Sequence, residues 1–179
     1  MNNSALAFDV RREPFGLTRG IRRFAAVVLV VQGVHVIEHV IQLLQIHVWH
    51  SHNTLGLLGY VLEFHGTAEW MHLGFNISYL AALVVLAVGL HDRVQAGLLA
   101  ARPYHAFLAF GLALEGWHCV EHSVITYNMI RNGGGCPCPG ILDPVLGVMD
   151  AQLHMAYNTV AYAGTLVPFM AMRAAARRR

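Results

Sequence analysis

The stretch GVHVIEHVIQ, Gly33 to Gln42, sets two histidines and a glutamate into a run of valine and isoleucine. On an α-helix, positions i, i+3 and i+4 share one face, so His35, Glu38 and His39 project together. A second stretch, GWHCVEHSVI, Gly116 to Ile125, repeats the H-x-x-E-H order with His118, Glu121 and His122. Ionisable groups are costly inside an apolar span, where they mark a bundle interior or a site. Both stripes must therefore turn inward, and the fold has to bring them together.

Around these stretches the 179-residue chain is 56% hydrophobic and only 12% charged, whereas a soluble domain usually carries about 25% charged residues. Four segments, Ile21–Ile46, Gly66–Leu90, Pro103–Tyr127 and Pro144–Met172, are each long enough for a hydrocarbon core about 30 Å thick. The expected fold is all-α, an integral membrane four-helix bundle forming one domain over residues 1–179. Asp9, Arg11, Arg12, Glu13 and Pro14 interrupt the N-terminal segment. A cleavable signal peptide needs a continuous apolar core there, so the first span is expected to act as an uncleaved anchor.

Arginine sets the orientation. All twelve basic residues are arginine. Arg11, Arg12, Arg19, Arg22 and Arg23 precede the first span, Arg93 and Arg102 separate the second and third, and Arg173 and Arg177 to Arg179 follow the fourth. Arg131 alone lies in the remaining loops. The positive-inside bias places the N- and C-termini in the cytoplasm and the loops 47–65 and 128–143 outside. The expected location is a bacterial plasma membrane. The net charge of +2 reports this topology, and no basic face points to nucleic acid.

The chain also repeats itself. A shift of 83 residues lays Gly33, His35, Glu38 and His39 onto Gly116, His118, Glu121 and His122. A shift of 82 lays MHLGFN, Met71 to Asn76, onto LHMAYN, Leu153 to Asn158, pairing His72 with His154 and Asn76 with Asn158. The expected architecture is a parallel duplication of a two-helix unit, approximately residues 21–90 and 103–172, about an axis along the membrane normal. The two outer loops share no such pattern.

Each helix then offers one polar stripe. Glu69, His72 and Asn76 align on the second helix, and Asp150, His154 and Asn158 on the fourth. From the rise per residue, all six histidines and both glutamates fall in one layer in the outer half of the membrane. A single buried histidine or asparagine is most simply an interhelical hydrogen-bond residue. Six histidines and two glutamates in matched sets call for a cation, because an unpaired buried carboxylate is unfavourable by several kcal/mol. The expected metal ligands are His35, Glu38, His39, His72, His118, Glu121, His122 and His154, with Glu69, Asn76, Asp150 and Asn158 as supporting groups.

Imidazole with carboxylate suits transition metals and makes magnesium or calcium a poor fit. Two ions match the repeat, with iron or copper favoured and zinc the alternative. Helical-bundle di-iron proteins use a comparable inward-facing donor set. The leading expectation is a membrane-embedded di-metal oxidoreductase that acts on a lipid-soluble substrate such as a quinone or passes electrons. Four alternatives compete. In a membrane zinc hydrolase, H-x-x-E-H would supply two ligands and a proton carrier. A b-type haem protein would use facing histidines as axial ligands, leaving the glutamates unexplained. A metal transport or delivery protein would use His47, His50, His52 and His65 of the first outer loop for capture. A subunit of a larger membrane complex, or a protein served by a separate electron donor, also fits so short a chain. The catalytic residues are not identified at this level.

The remaining polar residues are read more simply. Cys119 is a small packing residue, whereas Cys136 and Cys138 are open to a mutual disulfide, a bond to a partner, metal capture or a pair of free or structural thiols. His91 and His105 flank the short loop between the second and third spans. Glu115 points away from its stripe, towards a partner or the bundle seam, and Trp49, Trp70 and Trp117 are packing or interface anchors.

Overall fold

The computed structural model describes residues 19–51, 56–57, 68–133 and 138–176, and among them the chain is all-helical with no strand. Helix α1 spans Arg19–His47 and α2 spans Ala68–Gln95. A third rod is composite: α3, Ala101–Ala106, runs through a π-helical stretch, Phe107–Ala113, into α4, Leu114–Arg131. A one-turn helix α5, Asp143–Leu146, precedes the last rod, α6, Asp150–Ala176. The rods pack around a ring in which α1 touches α2 and α6, and the composite rod touches α2 and α6.

The burial pattern is inverted relative to a soluble protein. Along α1 the buried positions include Gln32, His35, Glu38, His39, Gln42 and Gln45, spaced three and four apart on one face. Valines and isoleucines occupy the other face, with Val30 68% exposed. The same holds at Val88 of α2, 68% exposed, and Val167 of α6, 64% exposed. α1 and the Trp70–Gln95 part of α2 are each long and apolar enough to cross a membrane. At 1.5 Å per residue the 29 residues of α1 reach about 43 Å.

Two layers fill the interior. Leu83, Leu86, Leu90, Phe107, Ala161 and Met172 form an apolar core towards the end where α1 begins and α6 finishes. The histidines form a polar layer nearer the opposite end.

Two expected spans are corrected. The third is not one regular α-helix, because α6 crosses the π-helical stretch at very close range. A Cβ on Gly164 would lie 2.4 Å from the Phe110 carbonyl carbon. A π-helical turn is wider than an α-turn, and here it sets the Phe110 backbone against the one residue type that leaves it room. The fourth span does not begin at Pro144. Gly147 takes a left-handed conformation (φ 65°) that ends α5 after one turn. Asp143 sits in the first turn of α5, and Leu142 holds the cap position without a side-chain bond. Pro168 lies inside α6, which continues through it to Ala176. α4 ends as its glycines require, with Gly133 left-handed (φ 74°) just beyond Asn132.

Candidate metal centre

Six imidazoles from all four rods meet in the polar layer, every one of them buried. α1 supplies His35 and His39, α2 His72, α4 His118 and His122, and α6 His154. Their contacts recur in pairs related by the repeat. Ring centroids of His35 and His39 are 4.7 Å apart, and those of His118 and His122 4.8 Å. His72 lies 5.7 and 5.4 Å from His35 and His39, while His154 lies 5.1 and 4.3 Å from His118 and His122. Two stacked contacts join the triads, His72 to His122 at 5.8 Å and His39 to His154 at 6.4 Å.

The second triad is the tighter. One ligand nitrogen from each of His118, His122 and His154 lies within 4.8 Å of the other two, a spacing that can hold a metal ion. In the first, His35 Nε2 and His39 Nε2 approach to 3.3 Å. His39 Nδ1 and both ring nitrogens of His118 are buried without a hydrogen bond, although buried polar atoms are normally satisfied.

Both motif glutamates are buried, and each accepts backbone N–H groups from the loop that follows its helix, one for Glu38 and two for Glu121. The amide of Leu57 donates to Glu38 Oε2 at 2.9 Å. The amides of Ile141 and Leu142 donate to Glu121 Oε2 and Oε1, and the Tyr157 hydroxyl donates to Oε1 at 3.4 Å. A glycine precedes the bonded amide in each loop, and a Cβ at Gly56 or Gly140 would collide with the carboxylate. These loop contacts escape a reading of helical faces. Their signal was Gly56-Leu57-Leu58 in one loop and Gly140-Ile141-Leu142 in the other.

The supporting groups divide. Asp150 meets His154 Nδ1 through its carboxylate at 2.9 Å and its carbonyl oxygen at 2.8 Å. That arrangement directs Nε2 of His154 towards the triad. Asn158 donates to the His154 carbonyl at 2.9 Å and accepts from Gln32 Nε2 at 2.8 Å. Asn76 is fully buried with neither side-chain atom bonded. The side chain of Glu69, together with His52, His65 and Cys136, lies outside the described residues.

Phe75, Tyr157 and Gln32 gain a place that the sequence did not assign, and Glu115 gains its partners. Phe75 stacks on His35 at 4.7 Å with ring planes 12° apart, and its repeat counterpart Tyr157 covers His118 at 5.1 Å. Tyr157 is pinned by Trp117 Nε1 at 3.0 Å, whereas Phe75 has no hydroxyl to hold. Glu115 and Gln32 also match across the repeat. Gln32 reaches Asn158, while Glu115, fully buried, places Oε2 3.6 Å from His118 Nδ1 and Oε1 4.0 Å from the Cys119 thiol.

An apolar cavity of about 530 Å³ lies between α1 and α2, lined by Val28, Val31, Met71, Gly74 and Phe75 among others. Phe75 is thus shared between the cavity and His35. Of the histidines that follow the first span, the two described ones stand apart from the cluster: His47 accepts from Gln152 at 3.3 Å, and His50 is a left-handed residue (φ 49°) just beyond α1. Cys138 is disulfide-bonded and Cys119 is a free, buried thiol. The chain matches no protein-family model, and neither the curated proteins nor the solved structures yield a match.

Proposed function

We propose that the chain is a four-span membrane protein whose six imidazoles hold transition metal, two ions in the filled state, and that it is an oxidoreductase for a lipid-soluble molecule. The observation that carries this reading is the contiguous cluster of six buried histidines, with the His118, His122 and His154 donors within 4.8 Å of one another. Neutral imidazole is the commonest protein ligand for such ions. Iron or copper is favoured, and either one, when bound, supplies one-electron chemistry beside an apolar wall.

Apolar surfaces on all four rods support membrane embedding of the whole bundle. Arginines at the end where α1 begins and α6 finishes support a cytoplasmic placement of both termini. The histidine layer then belongs to the outer half of the bilayer. The cavity ending on Phe75 supports a substrate that arrives from the hydrocarbon phase, since ligand sites of roughly 300–1,000 Å³ are usually lined by apolar side chains. The glutamates weigh against zinc hydrolysis. That chemistry needs the motif carboxylate to handle a proton at the metal, and both carboxylates instead hold loop amides.

Metal analysis with an absorption spectrum, on detergent-purified protein prepared without added metal or chelator, tests the reading. Two redox-active ions per chain are expected. Replacing His118 or His154 by alanine is expected to remove one of them first. A metal-free wild type that takes up no iron or copper would refute the proposal; a strong Soret band would replace it with haem.

A further inference from the structure

Glu115 stands one helical turn before His118, and both side chains are fully enclosed. The two oxygens of its carboxylate face different partners. The Cys119 thiol donates to Oε1 at 4.0 Å, whereas Oε2 lies 3.6 Å from His118 Nδ1. That separation is just beyond a hydrogen bond, and neither Oε2 nor Nδ1 makes one elsewhere. Nε2 of His118 is likewise unbonded, and His118 is one of the three donors that lie within 4.8 Å of one another.

Facing polar atoms buried without a hydrogen bond are unfavourable. A metal on Nε2 would resolve this, because the imidazole then carries its proton on Nδ1, directed at Glu115 Oε2. A small rotation of either side chain closes the gap. Metal-binding histidines nearly always donate their second ring N–H to such an acceptor, which fixes the ring and strengthens it as a ligand. His154, in the same triad, already has this arrangement, with Nδ1 2.9 Å from an Asp150 carboxylate oxygen.

The other half of the repeat supplies the contrast. The shift of 83 residues that lays Glu121 on Glu38 also lays Glu115 on Gln32, one turn before His35. Gln32 is equally enclosed, but it is a neutral amide whose Nε2 donates to Asn158 at 2.8 Å. His118 therefore meets a carboxylate from the place where His35 meets an amide. In a low-dielectric interior, one negative charge so close to a bound cation outweighs most differences in packing.

We infer that Glu115 is a positioning residue for the second of the two metal positions. Through His118 it makes the His118–His122–His154 triad the stronger-binding one, so that the ions load in order, second triad first. The inference rests on the reading that the six histidines hold metal, and it adds an inequality between the two triads. Glu115 acts through the imidazole and is not itself a ligand.

Anaerobic titration of metal-depleted full-length protein with Co2+ tests this, read by the visible absorption of bound cobalt against a competing chelator. Wild type is expected to bind two ions, the first at least about tenfold more tightly than the second. E115Q fills the same space without the charge. It should weaken the first ion about 10–100-fold and the second by less than about twofold. E115D, which draws the carboxylate back by one methylene, should fall between the two. H118A should lose the tight ion, and adding E115Q to it should cost nothing further, an outcome that a merely structural role for Glu115 would not produce. Equal affinity for both ions in wild type, an unchanged first ion in E115Q, or a full further loss in E115Q/H118A would overturn the assignment. If E115Q fails to fold, E115D decides by the same criterion. A wild type that takes up no Co2+ would overturn the histidine centre and this inference with it, whereas normal uptake with an unaffected E115Q would overturn the role of Glu115 alone.

Discussion

Glu121 accepts the amides of Ile141 and Leu142 while Glu38 accepts that of Leu57, so each motif glutamate fastens the loop after its helix over the histidine layer. A hydrogen bond to a charged acceptor contributes about 1.5–3 kcal/mol. E121Q keeps the shape and removes the charge, so we expect a loss of about 2 kcal/mol. In a chain of this size that is a fall of about 4–8 °C in Tm. G140A reaches the same contact from the loop side, since its Cβ would lie 2.5 Å from Glu121 Oε2. It should cost about 1–3 kcal/mol by overpacking. Thermal unfolding with metal analysis separates an anchor from a ligand: both variants should be less stable yet retain wild-type metal content. Loss of metal at unchanged stability in E121Q would instead make Glu121 a ligand. The i, i+3, i+4 spacing correctly grouped Glu38 with His35 and His39 on a buried face. It carries no information on whether a loop returns to that face, so the partner of the carboxylate was not legible. Glu115 could be read as facing a partner or the bundle seam, but not its contact with His118, because its burial is made by the neighbouring rods.

At the scale of elements, two glycines inside helices have opposite roles. Gly116 opens the second H-x-x-E-H stretch, and a Cβ there meets nothing within 4 Å. Gly164 of α6 lies against the backbone of Phe110, where a Cβ would have no room. G116A should therefore stabilise the chain by about 0.5–1 kcal/mol through the lower conformational entropy of the unfolded state. G164A must push α6 away from the π-helical stretch, at a cost of about 1–3 kcal/mol. Opposite shifts in Tm are expected in parallel melts, and a neutral G164A would mean that the crossing is not tight. The helical character of the chain could be read from the sequence, and so could the length and apolar content of α1 and α2. The π-helical stretch could not, because FLAFGLA, Phe107 to Ala113, has the same apolar pattern as a regular helix. Its cause is a crossing with a helix some fifty residues away. The one-turn α5 was nearer to legible, since Gly147 after Asp143-Pro144 is a left-handed stop that the continuous apolar pattern obscured.

The whole molecule divides into an arginine end, an apolar layer and a histidine layer capped by glutamate-bound loops. The arginine pattern and the matched histidines made that order readable, because both depend only on position along the rods. The difference between the halves was not readable. Phe75 and Tyr157 occupy matching places over His35 and His118, but Tyr157 is fixed by Trp117 and Glu121. The first half has valine at the place of Trp117, namely Val34, and the apolar cavity opens beside Phe75. Entry from the hydrocarbon phase is therefore expected through the first half. Gly74 offers a direct test, since it lines the cavity and its Cβ position meets nothing within 4 Å. G74L fills the space without displacing a neighbour, so Tm and metal content should stay at wild-type values. The rate at which a membrane-dissolved hydroquinone bleaches the absorption of the metal-loaded protein should fall about tenfold, equivalent to about 1.4 kcal/mol of lost binding. A small water-soluble reductant should act on both proteins at the same rate. If G74L leaves the hydroquinone rate unchanged, the cavity is not the route; if both reductants slow together, the leucine has disturbed the metal centre itself.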